Sequence, residues 1–168
     1  MNTFEHVAAK DVDAVFNRID KQWMLISATD GEQTNTMTAS WGAMGILWHK
    51  PIAICFIRPQ RHTYSITEKS DYLSLAFLGE EYRDALVFCG RNSGRDGDKF
   101  LQSGLTCTYT DGGLPYPAEA EMVMICRKMY ADDIKKASFI DKEVLKHYPI
   151  DDFHRVYICE IEDVLVKK

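Results

Sequence analysis

The stretch Asn35-Thr36-Met37-Thr38-Ala39-Ser40-Trp41-Gly42 decides how this chain is built. It crowds an amide, several short hydroxyls, a large indole and a glycine into one run. It follows a strand-like segment, Trp23 to Thr29, and a turn signal, Asp30-Gly31. Two readings compete. As an ordinary strand, its hydroxyls face water and Trp41 fills the core, a common arrangement in β-rich chains. As a ligand-binding loop, its backbone and hydroxyls offer hydrogen bonds beside one flat apolar surface. That second arrangement suits a polar, planar, aromatic ligand. Composition alone favours the ordinary strand, so the flanking sequence has to decide.

Length and composition narrow the field. The 168 residues fit one domain, 1–168, large enough to bury a core without disulfide staples. Hydrophobic residues at 46% and charged residues at 27% are ordinary for a globular protein. A formal net charge of −5 disfavours nonspecific binding to nucleic acid or anionic membranes. No apolar run reaches the ~20 residues of a membrane helix, and the N-terminus lacks a signal-peptide layout. The expected location is therefore the cytoplasm. Cys55, Cys89, Cys107, Cys126 and Cys159 are widely spaced, mostly inside apolar runs, and read as buried reduced thiols. The histidines show no paired metal-ligand spacing, so no metal site is expected.

Upstream of the opening stretch, Val12, Val15, Phe16 and Ile19 fall at helical spacing, which predicts an amphipathic helix over Asp11 to Asp20. Downstream, Ile52 to Ile57 reads as a strand bounded by prolines. The loop Arg58-Pro59-Gln60-Arg61-His62-Thr63-Tyr64 leads into a short helix over Ser65 to Lys69, with Thr63 as its cap. Arginines beside a helix N-terminus make a sensible phosphate site; two solvated arginines flanking a turn is the plainer alternative. Asp71 to Leu78 is a further strand, and Glu80 to Cys89 has helical character. The polar loop Gly90 to Phe100 contains Ser93, Gly94 and Lys99, and its glycines allow inward-pointing N–H groups, an anion nest. A surface loop without function fits the same composition. Leu105 to Tyr109, Glu121 to Tyr130 and His154 to Val166 complete the strands, with a helix expected around Asp141 to Lys146. Strands without regular intervening helices favour antiparallel pairing in a barrel or sandwich.

Three segments in this order carry a family resemblance: Asn35 to Gly42, Arg58 to Tyr64, and Cys89-Gly-Arg-Asn-Ser-Gly-Arg-Asp-Gly-Asp-Lys-Phe100. Gly104-Leu105 and His154-Arg-Val-Tyr157 extend it. On these motifs the chain resembles the flavin reductase-like family of FMN-binding split barrels, close to flavoredoxin. The resemblance implies a mainly β fold, a six-stranded antiparallel Greek-key split β-barrel with short capping helices, usually a homodimer. It implies FMN as cofactor. Asn35, Thr36, Met37, Thr38 and Trp41, with Ala39 and Ser40 in the same run, would line the isoalloxazine and ribityl chain. Arg61 and Thr63 would meet the phosphate within the loop that also holds Arg58, His62 and Tyr64. Ser93, Gly94 and Lys99 would approach from the second loop, and His154 matches a position near the C-terminal strand. Lys99 is left between the phosphate and the ring's pyrimidine edge.

The expected activity is an FMN oxidoreductase fed by NAD(P)H, with free flavin, a redox partner protein or a two-component monooxygenase accepting the electrons. The flavin carries the redox chemistry, so no catalytic acid, base or nucleophile is expected. A flavoredoxin-like electron carrier with little NAD(P)H activity, or a non-enzymatic flavin-binding module, are the rivals.

Overall fold

The computed structural model describes residues 4–168. Its spine is a pair of long antiparallel strands, β9 (Met122–Asp133) and β10 (Arg155–Lys167). Around them lie β1 (Phe4–His6), β2 (Met24–Thr29), β3 (Thr34–Ala39), β4 (Gly42–Leu47), β5 (Lys50–Ile57) and β6 (Tyr72–Phe77). The order across the sheet is β3-β2-β6-β9-β10-β5-β4, every pairing is antiparallel, and β1 pairs with β10. A separate hairpin joins β7 (Cys107–Tyr109) to β8 (Pro115–Pro117). The main sheet thus has eight strands where the resemblance implied six; the three-residue β1 joins it off the main path, on β10.

Sheet curvature follows from β10. Its inward residues are Tyr157, Cys159 and Ile161, then Val164 and Val166, so the parity flips. The flip coincides with an irregularity between Ile161 and Asp163, where an extra residue lets the strand bend while keeping its apolar side inward. Met37 of β3 and Met44 of β4, from opposite ends of the strand order, pack on the same core as Ile26, Leu75 and Met124. A flat sheet could not bring its two edges onto one core. The sheet therefore curls into a barrel split between β3 and β4.

A second layer covers the outside. α1 (Val15–Asn17) is a single turn, α2 (His62–Lys69) caps the barrel, and α3 (Arg83–Arg91) and α4 (Lys99–Ser103) lie over β3 and β2, their apolar side chains clustering with residues of β6 and β9. Leu25, Ala76 and Val123 face Leu86, Cys89 and Phe100 there, while Met24, Leu75 and Met124 face the barrel interior. These three strands are buried on both faces, which is why they read as continuous apolar runs. Each fully buried large side chain contributes roughly 1.5–3 kcal/mol.

Three local expectations are corrected. The helix over Asp11 to Asp20 is broken by Ala14 in a left-handed conformation (φ 50°), which leaves Phe16 exposed and only Ile19 buried. α2 begins at His62, with Arg61 rather than Thr63 at its N-cap. Lys99 belongs to α4, whose first N–H groups are capped by the Asp98 carboxylate. The thiol reading holds for Cys55, Cys89, Cys126 and Cys159, which are buried and free; Cys107 is free but half-buried. Among the described residues no helix is long and apolar enough to cross a membrane, and no side-chain cluster could hold a metal ion.

Candidate functional site

The opening stretch resolves into β3 and the start of β4, joined by Ser40 and Trp41 at the mouth of the barrel split. Neither simple reading survives intact. Its threonine hydroxyls are taken up internally: Thr36 accepts from Ser27 Oγ at 2.9 Å and donates to the Ile26 carbonyl, and Thr38 donates to the Leu86 carbonyl at 2.5 Å. Trp41 does not fill the core; it is 43% exposed. Strand alternation accounts for the hydroxyls, since Met37 and Ala39 take the barrel side and the threonines take the side facing α3.

Met37, Ala39, Ser40, Trp41, Phe56 and His154 surround a shallow cleft of about 200 Å³, completed by Thr38, Arg58 and Arg61. The indole of Trp41 lies 5.4 Å from the imidazoles of both His147 and His154, ring centre to ring centre. Arg58 is held by the Asp152 carboxylate and the His147 carbonyl, and its guanidinium sits 5.1 Å over the Tyr148 ring. Those bonds clamp the segment carrying His147, Asp152 and His154 against the cleft. Arg58 is thus largely occupied in building this wall.

His154 is 7% exposed, and its Nδ1 lies 2.9 Å from the Tyr148 hydroxyl. Burial, reinforced by the nearby Arg58 charge, pushes its pKa down to about 4. The imidazole therefore stays neutral at physiological pH. The unfolded chain binds this proton from about pH 6.5 downward, whereas the folded chain binds it only near pH 4. Folding stability contributed at this site is accordingly full above pH 6.5 and is lost as pH falls through that window. His154→Gln should flatten the fall in Tm between these two pH values, as measured by thermal melts.

A second cleft, of about 190 Å³, opens on the other side of Arg61 and is lined by His62, Thr63, Ser93, Gly94 and Lys99, with Gln60, Arg91 and Asn92 at its rim. Arg61 lines both clefts, so they are two ends of one groove. No carboxylate lines the second end. Arg61 donates to the Gly90 carbonyl at 2.6 Å and the Cys89 carbonyl at 3.1 Å, and Lys99 donates to the same Cys89 carbonyl at 2.6 Å. These oxygens belong to the last turn of α3, the negative end of its dipole. Lys99 is only 3% exposed, and burial together with the Arg61 charge lowers its pKa to about 8. Burial likewise lowers the pKa of Arg61.

The rest of this end is donor-rich. No side chain caps the N-terminus of α2; the Tyr64 N–H turns back to the Arg61 carbonyl, and the N–H groups of His62 and Thr63 are left for a ligand. Thr63 is fully buried and accepts from Asn35 Nδ2 at 3.0 Å. His62 Nδ1 is buried without a partner. Gly94 packs on the Asn35 amide so closely that an added Cβ would lie 2.3 Å from Asn35 Oδ1. Within the loop expected to form an anion nest, Ser93 takes the N–H groups of Arg95 and Asp96, while Ser93 and Gly94 themselves line this end.

Of the residues picked out by sequence, Thr36 and Tyr64 are not brought to the groove. Thr36 is turned into the β2–β3 packing, and Tyr64 packs against the barrel core one helical step round from Thr63. Asn35 acts through Thr63 and Gly94 without lining either cleft. Phe56, Tyr148 and the α3 carbonyls were not picked out, having no local signal; Arg91 lies inside the Cys89–Phe100 motif. Two hollows more than three times as large, about 750 and 920 Å³, lie elsewhere and contain none of these residues. The 920 Å³ hollow includes Asp163 and Glu162, whose carboxylates are already paired with His6 and Arg127, and neither hollow gathers buried cations lacking acids.

The sequence profile described as "Flavin reductase like domain" matches residues 16–168. The fold is similar to that of an FMN-binding domain of a flavin reductases-like enzyme from Shewanella baltica OS155 (TM-score 0.72, 18% identity, 98% of this chain and 78% of that one). It is also similar to flavoredoxin of Desulfovibrio vulgaris Miyazaki F (TM-score 0.67, 21% identity, 86% and 68%). A third likeness is a putative flavin reductase with split barrel domain from Shewanella frigidimarina NCIMB 400 (TM-score 0.69, 17% identity, 94% and 76%). No curated protein sequence matches the chain significantly. With its sequence profile matched over nearly the whole length and a split barrel in agreement, the chain belongs to the flavin reductase-like domain family.

Proposed function

We propose that this protein is an FMN-binding oxidoreductase that receives electrons from NAD(P)H and passes them through the flavin to free flavin or another acceptor. The observation that carries this reading is the buried Lys99 beside the half-buried Arg61, at an uncapped helix start with no acid among the lining residues. Burying two positive charges without a carboxylate is costly unless an anion joins them. A phosphate monoester dianion answers that charge, the open N–H groups and the unpartnered His62 Nδ1 together. At the other end, Met37, Phe56 and Trp41 offer apolar surface to a ring system, and Arg61 links the two ends. An FMN-shaped ligand, planar ring at one end and phosphate at the other, fits the groove.

When bound, FMN supplies the hydride and electron chemistry. The chain's own residues bind and orient. Arg61, Lys99 and the α2 N-terminus hold the phosphate, and His154 stays neutral as an uncharged wall of the ring cleft. Lys99 lies at the phosphate end of the groove and not at the ring end. The test is the visible spectrum of the purified or FMN-reconstituted protein before and after anaerobic NAD(P)H. Rapid bleaching supports the reductase; bleaching by dithionite alone points to a flavoredoxin-like carrier. Flavin that resists both points to a binding module, and a protein that binds no FMN in calorimetry overturns the reading.

The assembly proposed is a homodimer in the cytoplasm, where the free thiols suit a reducing environment. β4 is an edge strand carrying exposed Ile46, and the hairpin tip beyond it exposes Trp48. An unpaired apolar edge of this kind favours pairing with another chain. Ile46→Lys should shift the protein toward monomer in light scattering, and an unchanged dimer would place the interface elsewhere. A redox partner protein or a two-component monooxygenase remains the proposed acceptor.

A further inference from the structure

Lys99 has an unusual set of neighbours. From α3 it meets the Cys89 carbonyl and thiol, with Arg91 at that helix's end; from the head of α2 it meets Arg61 and His62. Arg95, from the loop, places a further positive charge beside His62. The nearest carboxylate in its own segment, Asp98, is turned away to accept from the N–H groups of Phe100 and Leu101. The ammonium uses one of its three donors, on Cys89. No carboxylate lines this end of the groove, although Asp30 acts on the neighbouring His62, and the ammonium is almost wholly removed from water.

We propose that the groove takes up its phosphorylated ligand together with a proton, and that Lys99 is the group that receives it. The inference rests on the FMN reading above. A dianion placed beside Lys99 reverses the local sign of charge and stabilises the ammonium. Lys99 without phosphate holds its proton only up to about pH 8. With phosphate beside it, the proton is held to higher pH. By linkage, affinity for the phosphate dianion is flat between about pH 7 and about pH 8 and falls about tenfold per pH unit above that, until the bound-state pKa is reached. The phosphate itself contributes no proton there, since its second ionisation is complete well below, at a pKa of about 6. The device ties cofactor loading to pH through one buried side chain, and it distinguishes phosphorylated flavin from riboflavin.

The experiment is calorimetric titration of the apo-protein with FMN in two buffers of different ionisation enthalpy, at about pH 6.5 and about pH 9. Wild type should take up about nine-tenths of a proton per FMN at the higher pH, given a free pKa of about 8. Riboflavin, lacking the phosphate, should take up none. Lys99→Arg keeps the charge but does not titrate, so it should bind FMN with no proton uptake and a flat pH profile. FMN binding without proton uptake in wild type, or undiminished uptake in Lys99→Arg, overturns the inference and leaves the flavin reading standing. Should Lys99→Arg fold poorly, the wild-type affinity profile from pH 7 to 10 decides alone, a flat profile being the overturning result. Failure to bind FMN at every pH overturns the flavin reading itself.

Discussion

Replacing Arg61 and Lys99 together by alanine should weaken FMN binding by at least about a hundredfold while leaving the fold intact. Each charge-assisted phosphate contact is worth roughly 1.5–3 kcal/mol, or about one to two orders of magnitude in affinity. The two side chains share the Cys89 carbonyl, so their losses should not add simply. The apo-protein should behave differently from an ordinary core variant. Two cations held side by side without a carboxylate strain the ligand-free state, so removing them relieves repulsion even as it strips the α3 carbonyls of partners. Expected, then, is a large loss of affinity by fluorescence quenching or calorimetry with a nearly unchanged apo Tm. Such a split marks residues kept for ligand binding at some expense of stability. Wild-type affinity in the double variant would show that the groove has been assigned wrongly even though the family is right.

Gly94→Val should damage the same end of the groove from the opposite side. A Cβ at this position lies 2.3 Å from Asn35 Oδ1 and 2.5 Å from its carboxamide carbon. Asn35 cannot yield easily, because its side chain is short, buried and bonded to the Thr63 hydroxyl. Either the amide is pushed off Thr63, at the head of α2, or the Ser93–Gly94 segment moves outward. Both changes widen the phosphate end. Overpacking of this kind costs about 1–3 kcal/mol of stability, and FMN affinity should fall by about ten- to a hundredfold. Gly112→Ala is the matched control, since its Cβ would meet only Thr110 Oγ1 at an ordinary 3.8 Å. Equal affinity for Gly94→Val and the control would mean that the loop has no part in shaping the site.

Most of the β architecture was legible in the chain. Apolar runs such as Leu73 to Leu78 and Met122 to Cys126, bounded by turn residues, give the strands directly, and the ordered motifs of three segments give the family. The N-terminal helix was misread because spacing alone does not register the left-handed Ala14 that breaks it. Thr63 was misplaced as a cap because a helix can start one turn earlier when Arg61 takes the extended N-cap conformation. In the glycine-rich loop expected to cradle an anion, the Ser93 turn takes the Arg95 and Asp96 N–H groups, and the close contact at Gly94 is with Asn35, which no local pattern shows.

Residue types set by the sequence alone determined that a mainly β chain would carry arginines, a lysine, hydroxyls and an indole in motifs suited to a phosphorylated aromatic ligand. Only the tertiary structure decided which of them meet. Arg61 and Lys99 are separated by nearly forty positions in the chain and converge because the α3 C-terminus ends between them. Arg58, of the same type and three residues before Arg61, is drawn instead to Asp152 and the far wall. For Asn35 to Gly42, the pleat sent alternate side chains to opposite faces, and only closure of the barrel determined which face was core and which was groove. Charge and shape are carried by single residues, but burial is a property of everything packed around them, and it is burial that sets Lys99 apart from an ordinary surface lysine.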